Sequence, residues 1–157
     1  MSAPLLSELL EREHHDIDGG IEEYAGSLGG EANDPAPLLR AMDALRRHIY
    51  LEEEFVFPPL KEAGMMMPIF VMLREHGEIW DEMTALDELL AGDTEADALN
   101  EACRTLLSQL DDHNAKEEPI IYPRMDEELS EDATERLRAF IDSGKMPAGW
   151  RCEQATR

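Results

Sequence analysis

The chain has 157 residues, 43% of them apolar, with 36 acidic against 14 basic side chains and a formal charge of −22. That length and apolar content support one domain with a packed core and argue against a disordered chain. The acidity argues against a nucleic-acid or anionic-membrane partner, and no run nears the ~20 apolar residues of a membrane helix.

Frequent Leu, Ala, Glu, Met and Arg, with few runs of Val, Ile and Thr, favour helix throughout. A first helix is expected over about 4–28. Its stripe of Leu6, Leu10, His14, Ile17, Ile21, Tyr24 and Leu28 steps by four and three, as a seam facing a bundle core does. Gly29 and Gly30 end it, and Asn33-Asp34-Pro35 opens the next element. The second helix runs from about Pro37 with Ala41, Leu45, His48, Glu52, Phe55 and Pro59 in its stripe. Pro58 and Pro59 are expected to end it, because proline lacks the N–H and clashes one turn back. A loop over 61–68 carries Met65, Met66 and Met67, read as an apolar cap in preference to a mobile entrance.

The third helix spans about 68–91, with Ile69, Met72, His76, Ile79, Met83, Leu86 and Leu90 in its stripe. The fourth runs from about 95 to 121 through Leu99, Cys103, Leu106, Leu110, His113, Glu117 and Ile120. A short fifth helix over about 131–142 has Ser130 as N-cap and Gly144 as its stop. Residues 146–157 read as a tail held down by Trp150. The fold class is therefore all-α: an up-down-up-down antiparallel four-helix bundle with a short C-terminal helix, occupying residues 1–145. An open helical array is the alternative. Cys103 falls in a core stripe and Cys152 in the tail, too few for a disulfide framework. With no basic stretch followed by an apolar one at the start, the chain reads as cytoplasmic.

The sequence is internally duplicated. Arg12-Glu13-His14-His15-Asp16-Ile17 matches Arg74-Glu75-His76-Gly77-Glu78-Ile79, and His48-x-x-x-Glu52-Glu53 with Pro58 matches His113-x-x-x-Glu117-Glu118 with Pro123. Positions four apart on a helix share a face, so each later motif aims one imidazole and one carboxylate at one point. His14, His48, Glu52, His76, His113 and Glu117 all fall on core seams. Two buried carboxylates beside four imidazoles are costly without something to bind. One zinc would need only three or four ligands. Six nitrogen and oxygen donors without a thiolate suit two first-row ions, iron first and manganese next. Glu52 and Glu117 would bridge them together with an oxo or hydroxo group, leaving positions open for O₂, peroxide or NO. The Glu-x-x-His spacing of ferritin-like sites fails, since Glu11 precedes His14 but Leu73 precedes His76.

Around this set, His15 points off the seam and reads as a surface group. Glu53 and Glu118 read as solvated carboxylates or as partners of a ligand histidine. Tyr122, opposite Phe57 in the repeat, reads as core packing in preference to a redox-active phenol.

These motifs resemble the hemerythrin-like, HHE cation-binding family over about Leu5 to Met125. The resemblance implies a four-helix bundle with a non-haem di-iron centre held by the six residues named. Oxygen-carrying members place a second histidine four residues after the third-helix one, and here that position is Trp80. Their last motif ends in an Asp five residues after the His; here Glu117 stands at four and Glu118 at five. The four-His, two-Glu set instead resembles iron-centre repair proteins and bacterial hemerythrin-like proteins tied to peroxide or NO. The resulting expectation is a di-iron protein that binds or reacts with O₂, peroxide or NO in stress response or sensing. Its partner would be that small ligand, with no nucleic acid and no membrane. The alternatives are an iron-handling module and a purely structural bundle. No general acid or base is assignable.

Overall fold

The computed structural model describes residues 3–30 and 34–156. Every regular element among them is helical, and no strand occurs among the described residues. Helix α1 is Leu6–Ser27, and its buried side chains are Leu6, Leu10, His14, Ile17, Ile21, Tyr24 and Ala25, the seam expected from the four-and-three spacing. It stops where Gly29 takes φ +89°, a left-handed conformation that a side chain would disfavour. The Oδ1 of Asp34 accepts the Ala36 N–H at 3.0 Å and starts α2, Ala36–Leu51. Asn33, expected beside it, lies outside the described residues.

Pro58 and Pro59 do not end the second helical segment. After α2 the chain makes one widened, π-type turn over Glu52–Val56, in which the Phe57 N–H reaches back five residues to the Glu52 carbonyl. It then continues as α3, Phe57–Glu62. Both prolines thus fall in the first turn of a new helix, where a missing N–H costs little. The inserted residue also rotates everything downstream. Val56 and Phe57 are buried where Phe55 and Pro59 were expected to be.

The second motif repeats the device. Helix α5, Ala96–Lys116, passes through a widened turn over Glu117–Ile121 into α6, Tyr122–Glu128, with Pro123 in its first turn. Ile120, expected in the core, is 49% exposed, and Ile121 takes its place. Such turns add a residue to an α-helix and commonly sit at functional sites.

Helix α4, Met66–Ala91, begins right after Gly64, so the expected loop over 61–68 shrinks to a tight turn. Of the three methionines of that expected loop only Met65 caps the core; Met66 and Met67 are exposed. Helix α7, Glu131–Ser143, is capped by Ser130 Oγ, which accepts the Ala133 N–H at 3.1 Å. Its last carbonyls accept from the Arg47 guanidinium, including Nη2 to Ile141 at 3.0 Å and Nε to Gly144 at 3.0 Å. That cation at a helix C-terminus ties α7 to α2.

Helix α1 packs on α2, α5 and α6, and α4 packs on α5, α2 and α3. The core forms two apolar clusters. One runs from Ile17, Leu45 and Leu106 through Met83, and the other from Leu10 and Val56 through Ile69 and Ile121. On each of the four long helical segments the polar seam residues fall between the stretches that feed the two clusters. The fold therefore sandwiches one polar layer between two dry ones. No helix among the described residues is long and apolar enough to cross a membrane.

Candidate metal centre

The polar layer contains His14, His48, Glu52, His76, His113 and Glu117, all nearly inaccessible to solvent. Each carboxylate touches imidazoles from both copies of the repeat. Glu52 places Oε2 3.2 Å from His48 Nε2 and Oε1 3.0 Å from His76 Nε2. Glu117 places Oε1 3.3 Å from His14 Nε2 and Oε2 3.2 Å from His113 Nε2. Two overlapping donor groups result: His14, His48, Glu52 and Glu117, and Glu52, His76, His113 and Glu117. Within each, the donor atoms lie within 4.8 Å of one another.

A second ring of carboxylates stands behind the histidines. His14 Nδ1 lies 2.7 Å from Glu118, His48 Nδ1 2.9 Å from Glu13, His76 Nδ1 2.8 Å from Glu53, and His113 Nδ1 2.9 Å from Glu75. The pattern follows the duplication. The Glu of each Glu-His pair, Glu13 or Glu75, holds the histidine of the following segment, and the second Glu of each later motif, Glu53 or Glu118, holds the histidine of a Glu-His pair. An ionised carboxylate only accepts, so each Nδ1 carries the proton and donates it. In a neutral ring, Nε2 is then left with its lone pair facing inward.

This donor set fits a cation. His14 and His48 bring their Nε2 atoms to 3.1 Å, two lone pairs toward each other if both rings are neutral. Glu117 Oε2 is buried without a hydrogen-bond partner, with His113 Nε2 3.2 Å away. Acceptors converge, and one hydroxyl donor reaches them. Tyr122 Oη donates to Glu52 Oε2 at 2.7 Å or Glu117 Oε1 at 2.9 Å, and lies 3.0 Å from His14 Nε2 and 3.2 Å from His48 Nε2.

Without a cation, protons must fill the gap. Burial opposes charge on His113, yet the carboxylate of Glu117, helped by Glu75 and Glu52, raises its imidazole to about 10. Burial likewise works against His48, and Glu52 with Glu13 raises it well above the usual histidine range. His76 is raised too, against burial, by hydrogen bonds to Glu52 and Glu53. Burial and the neighbouring Glu117 push Glu52 up, but His48 and His76 outweigh them and hold it low. Burial and the two carboxylates keep the Tyr122 phenol protonated well past its normal value.

All six residues singled out in the sequence thus come together. Glu53 and Glu118 prove to be the partners of ligand-type histidines, and His15 is exposed. The seam pattern does not single out Glu13 and Glu75, though the repeated Glu-His pair carries their signal. Tyr122, a core-packing residue by its place in the repeat, sits instead among the donor atoms. Its counterpart Phe57 stacks on His76 with ring centroids 5.3 Å apart. Tyr122→Phe should preserve the helices and cost the metal-free protein about 2–3 kcal/mol in urea unfolding, since buried carboxylates lose a charge-assisted hydrogen bond. No loss in the metal-free form would show that the phenol is not bonded there.

A cavity of about 10 Å³ adjoins the donor atoms, about enough for one water-sized molecule. Ile17, Leu45, Ile49, Ile79 and Leu110 line it with Asp18 and Asn114. Both cysteines are buried and unpaired.

Comparison with known proteins agrees with this geometry. The family model described as "Hemerythrin HHE cation binding domain" matches residues 5–125. Curated relatives include an uncharacterized protein of Mycobacterium bovis and two of Mycobacterium tuberculosis, each 30% identical across 66% of this chain and 45% of the relative. The chain thus spans less than half the length of these relatives. No solved structure gives a significant match. With the family model covering most of its length and both histidine-glutamate motifs, the chain belongs to the hemerythrin HHE cation-binding domain family.

Proposed function

We propose that the chain is a non-haem di-iron protein that binds or reacts with O₂, peroxide or NO, in stress response or sensing. The observation that carries this reading is that Glu52 and Glu117 each reach histidines of both copies, as carboxylates bridging two ions would. His14 and His48 would hold one ion, and His76 and His113 the other. Nitrogen and oxygen donors without thiolate suit iron first, with manganese or zinc as substitutes. The proposed frame is an up-down-up-down four-helix bundle over residues 1–145 with residues 146–157 as its tail. The short connections and the packing of α1 on α2 and of α4 on α5 support it.

When bound, the ions supply Lewis acidity and one-electron chemistry. The chain supplies the rest. Glu13, Glu53, Glu75 and Glu118 fix the tautomer and direction of each imidazole. The two apolar clusters exclude bulk water, and the small cavity limits the ligand to a few atoms. Tyr122 presents the hydroxyl proton at that point.

The test adds O₂, peroxide or NO separately to the reduced, iron-loaded protein and records absorption. At least one should change the iron bands, and indifference to all three would end the reading. Iron storage or donation is the second reading. It is favoured by Glu118, whose side chain is 34% exposed and leaves the His14 side near solvent. Iron passing to a metal-free acceptor protein, with no spectral response to the three ligands, would select it.

A further inference from the structure

The two halves of the centre repeat in sequence but are not equally enclosed. The difference comes from residues 146–156, which fold back over one half alone. Trp150 sets its ring edge-on to Trp80, with centroids 5.6 Å apart, and Cys152 is buried in the same apolar cluster. The Cys152 thiol faces the His76 carbonyl at 3.7 Å. The Glu153 N–H donates to Glu53 Oε1 at 3.0 Å, while the other oxygen of Glu53 takes the His76 Nδ1 proton at 2.8 Å. Thr156 closes the segment, its N–H and hydroxyl both donating to Asp81 at 2.9 and 2.5 Å.

Gly77 makes this docking possible. A Cβ there would lie 2.5 Å from the Gln154 carbonyl oxygen and 2.8 Å from its carbon, too close for any side chain. The equivalent positions in the first copy show what the segment requires. His15 stands for Gly77 and is exposed, and Asp18 stands for Trp80. Glu118 stands for Glu53, yet its side chain is 34% exposed against 5% for Glu53. Among the described residues, no chain segment covers that side in the same way.

A carboxylate with both oxygens engaged cannot swing, and the imidazole it holds cannot turn. An outer partner of this kind tunes metal affinity by about 10–100-fold. We infer that residues 150–156 are a strap that locks Glu53 onto His76, so the ion held by His76 and His113 is released more slowly than the ion held by His14 and His48. Glu53 and Glu153 are positioning residues in this scheme, acting through His76. The inference rests on the two-ion reading above.

The test follows metal release from the loaded full-length chain into excess chelator, together with labelling of Cys152 by a thiol reagent, located by mass spectrometry. Release should occur in two phases of about one ion each. Gly77→Ala, which favours the helix itself, should expose Cys152 to the reagent while buried Cys103 stays protected and helicity holds. Its slow phase should speed up about 10–100-fold toward the fast one. His15→Ala, at the uncovered equivalent, should change neither. Coupling between strap docking and metal affinity is reciprocal, so in the unaltered chain loading should hold the strap down and slow Cys152 labelling. Single-phase release, an unchanged slow phase once Cys152 reacts, Cys152 still protected in Gly77→Ala, or labelling indifferent to metal would each overturn the strap. A chain that takes up no metal at all would instead overturn the di-iron reading.

Discussion

Glu52→Ala is expected to empty both ion positions, where His48→Ala empties one. Glu52 reaches His48 with one oxygen and His76 with the other, so its loss removes a donor from both groups at once. Affinity should drop by more than about 100-fold at each position, beyond the 10–100-fold that follows loss of an outer partner. Glu53→Gln supplies that milder comparison. The fold should survive, because the two apolar clusters above and below the layer are untouched. Metal content by elemental analysis, beside far-ultraviolet circular dichroism, checks it. Glu52→Ala protein that keeps its full metal content would place the ions elsewhere.

The second large effect is the pH dependence of the metal-free protein. His113 is raised from 6.5 to about 10, and His48 and His76 are raised in the same direction. A group with a raised folded value contributes stability that is complete below its unfolded value and disappears as pH climbs through the folded one. The stability of the metal-free protein should therefore fall between about pH 6.5 and 10. One such group accounts for about 1.4 kcal/mol per pH unit within that window. Glu52 and Glu117 are both held low, so their contribution is lost instead on acidification, below the ordinary carboxylate range. In the loaded protein metal replaces the inner protons and the alkaline decline should vanish. Urea unfolding at pH 7, 8 and 9, with and without metal, separates the two forms. A metal-free protein equally stable across that range would show that the imidazoles carry no extra proton.

The seams of α1, α4 and α5 were legible because four-and-three spacing is a local property of the chain. The six inner donors were legible for the same reason, standing as polar residues on apolar stripes. What the spacing could not carry was the pair of widened turns. A regular helix advances 100° per residue, which would set Tyr122 about 140° around from Glu117. The widened turn, closed by the Tyr122 N–H on the Glu117 carbonyl, brings the Tyr122 hydroxyl to 2.9 Å from Glu117 Oε1 and buries Ile121 in place of Ile120. The same turn moved Val56 and Phe57 inward and made Pro58 and Pro59 the start of a helix. Proline alone reads as a stop, and only the changed hydrogen-bond register reverses that meaning. The docking of Gln154 on Gly77 joins residues far apart in the chain, and no local pattern encodes it. Its trace in the sequence was the mismatch between the copies, Gly77 against His15 and Trp80 against Asp18.

The most direct measurement is the metal content of the gently purified full-length chain, taken together with its absorption spectrum. Two ions per chain are expected, one for each donor group, predominantly iron and with iron absorption that changes on reduction. A folded, helical protein carrying no iron, manganese or zinc, and taking up none when offered the metals, would contradict the assignment of this buried layer as a metal centre.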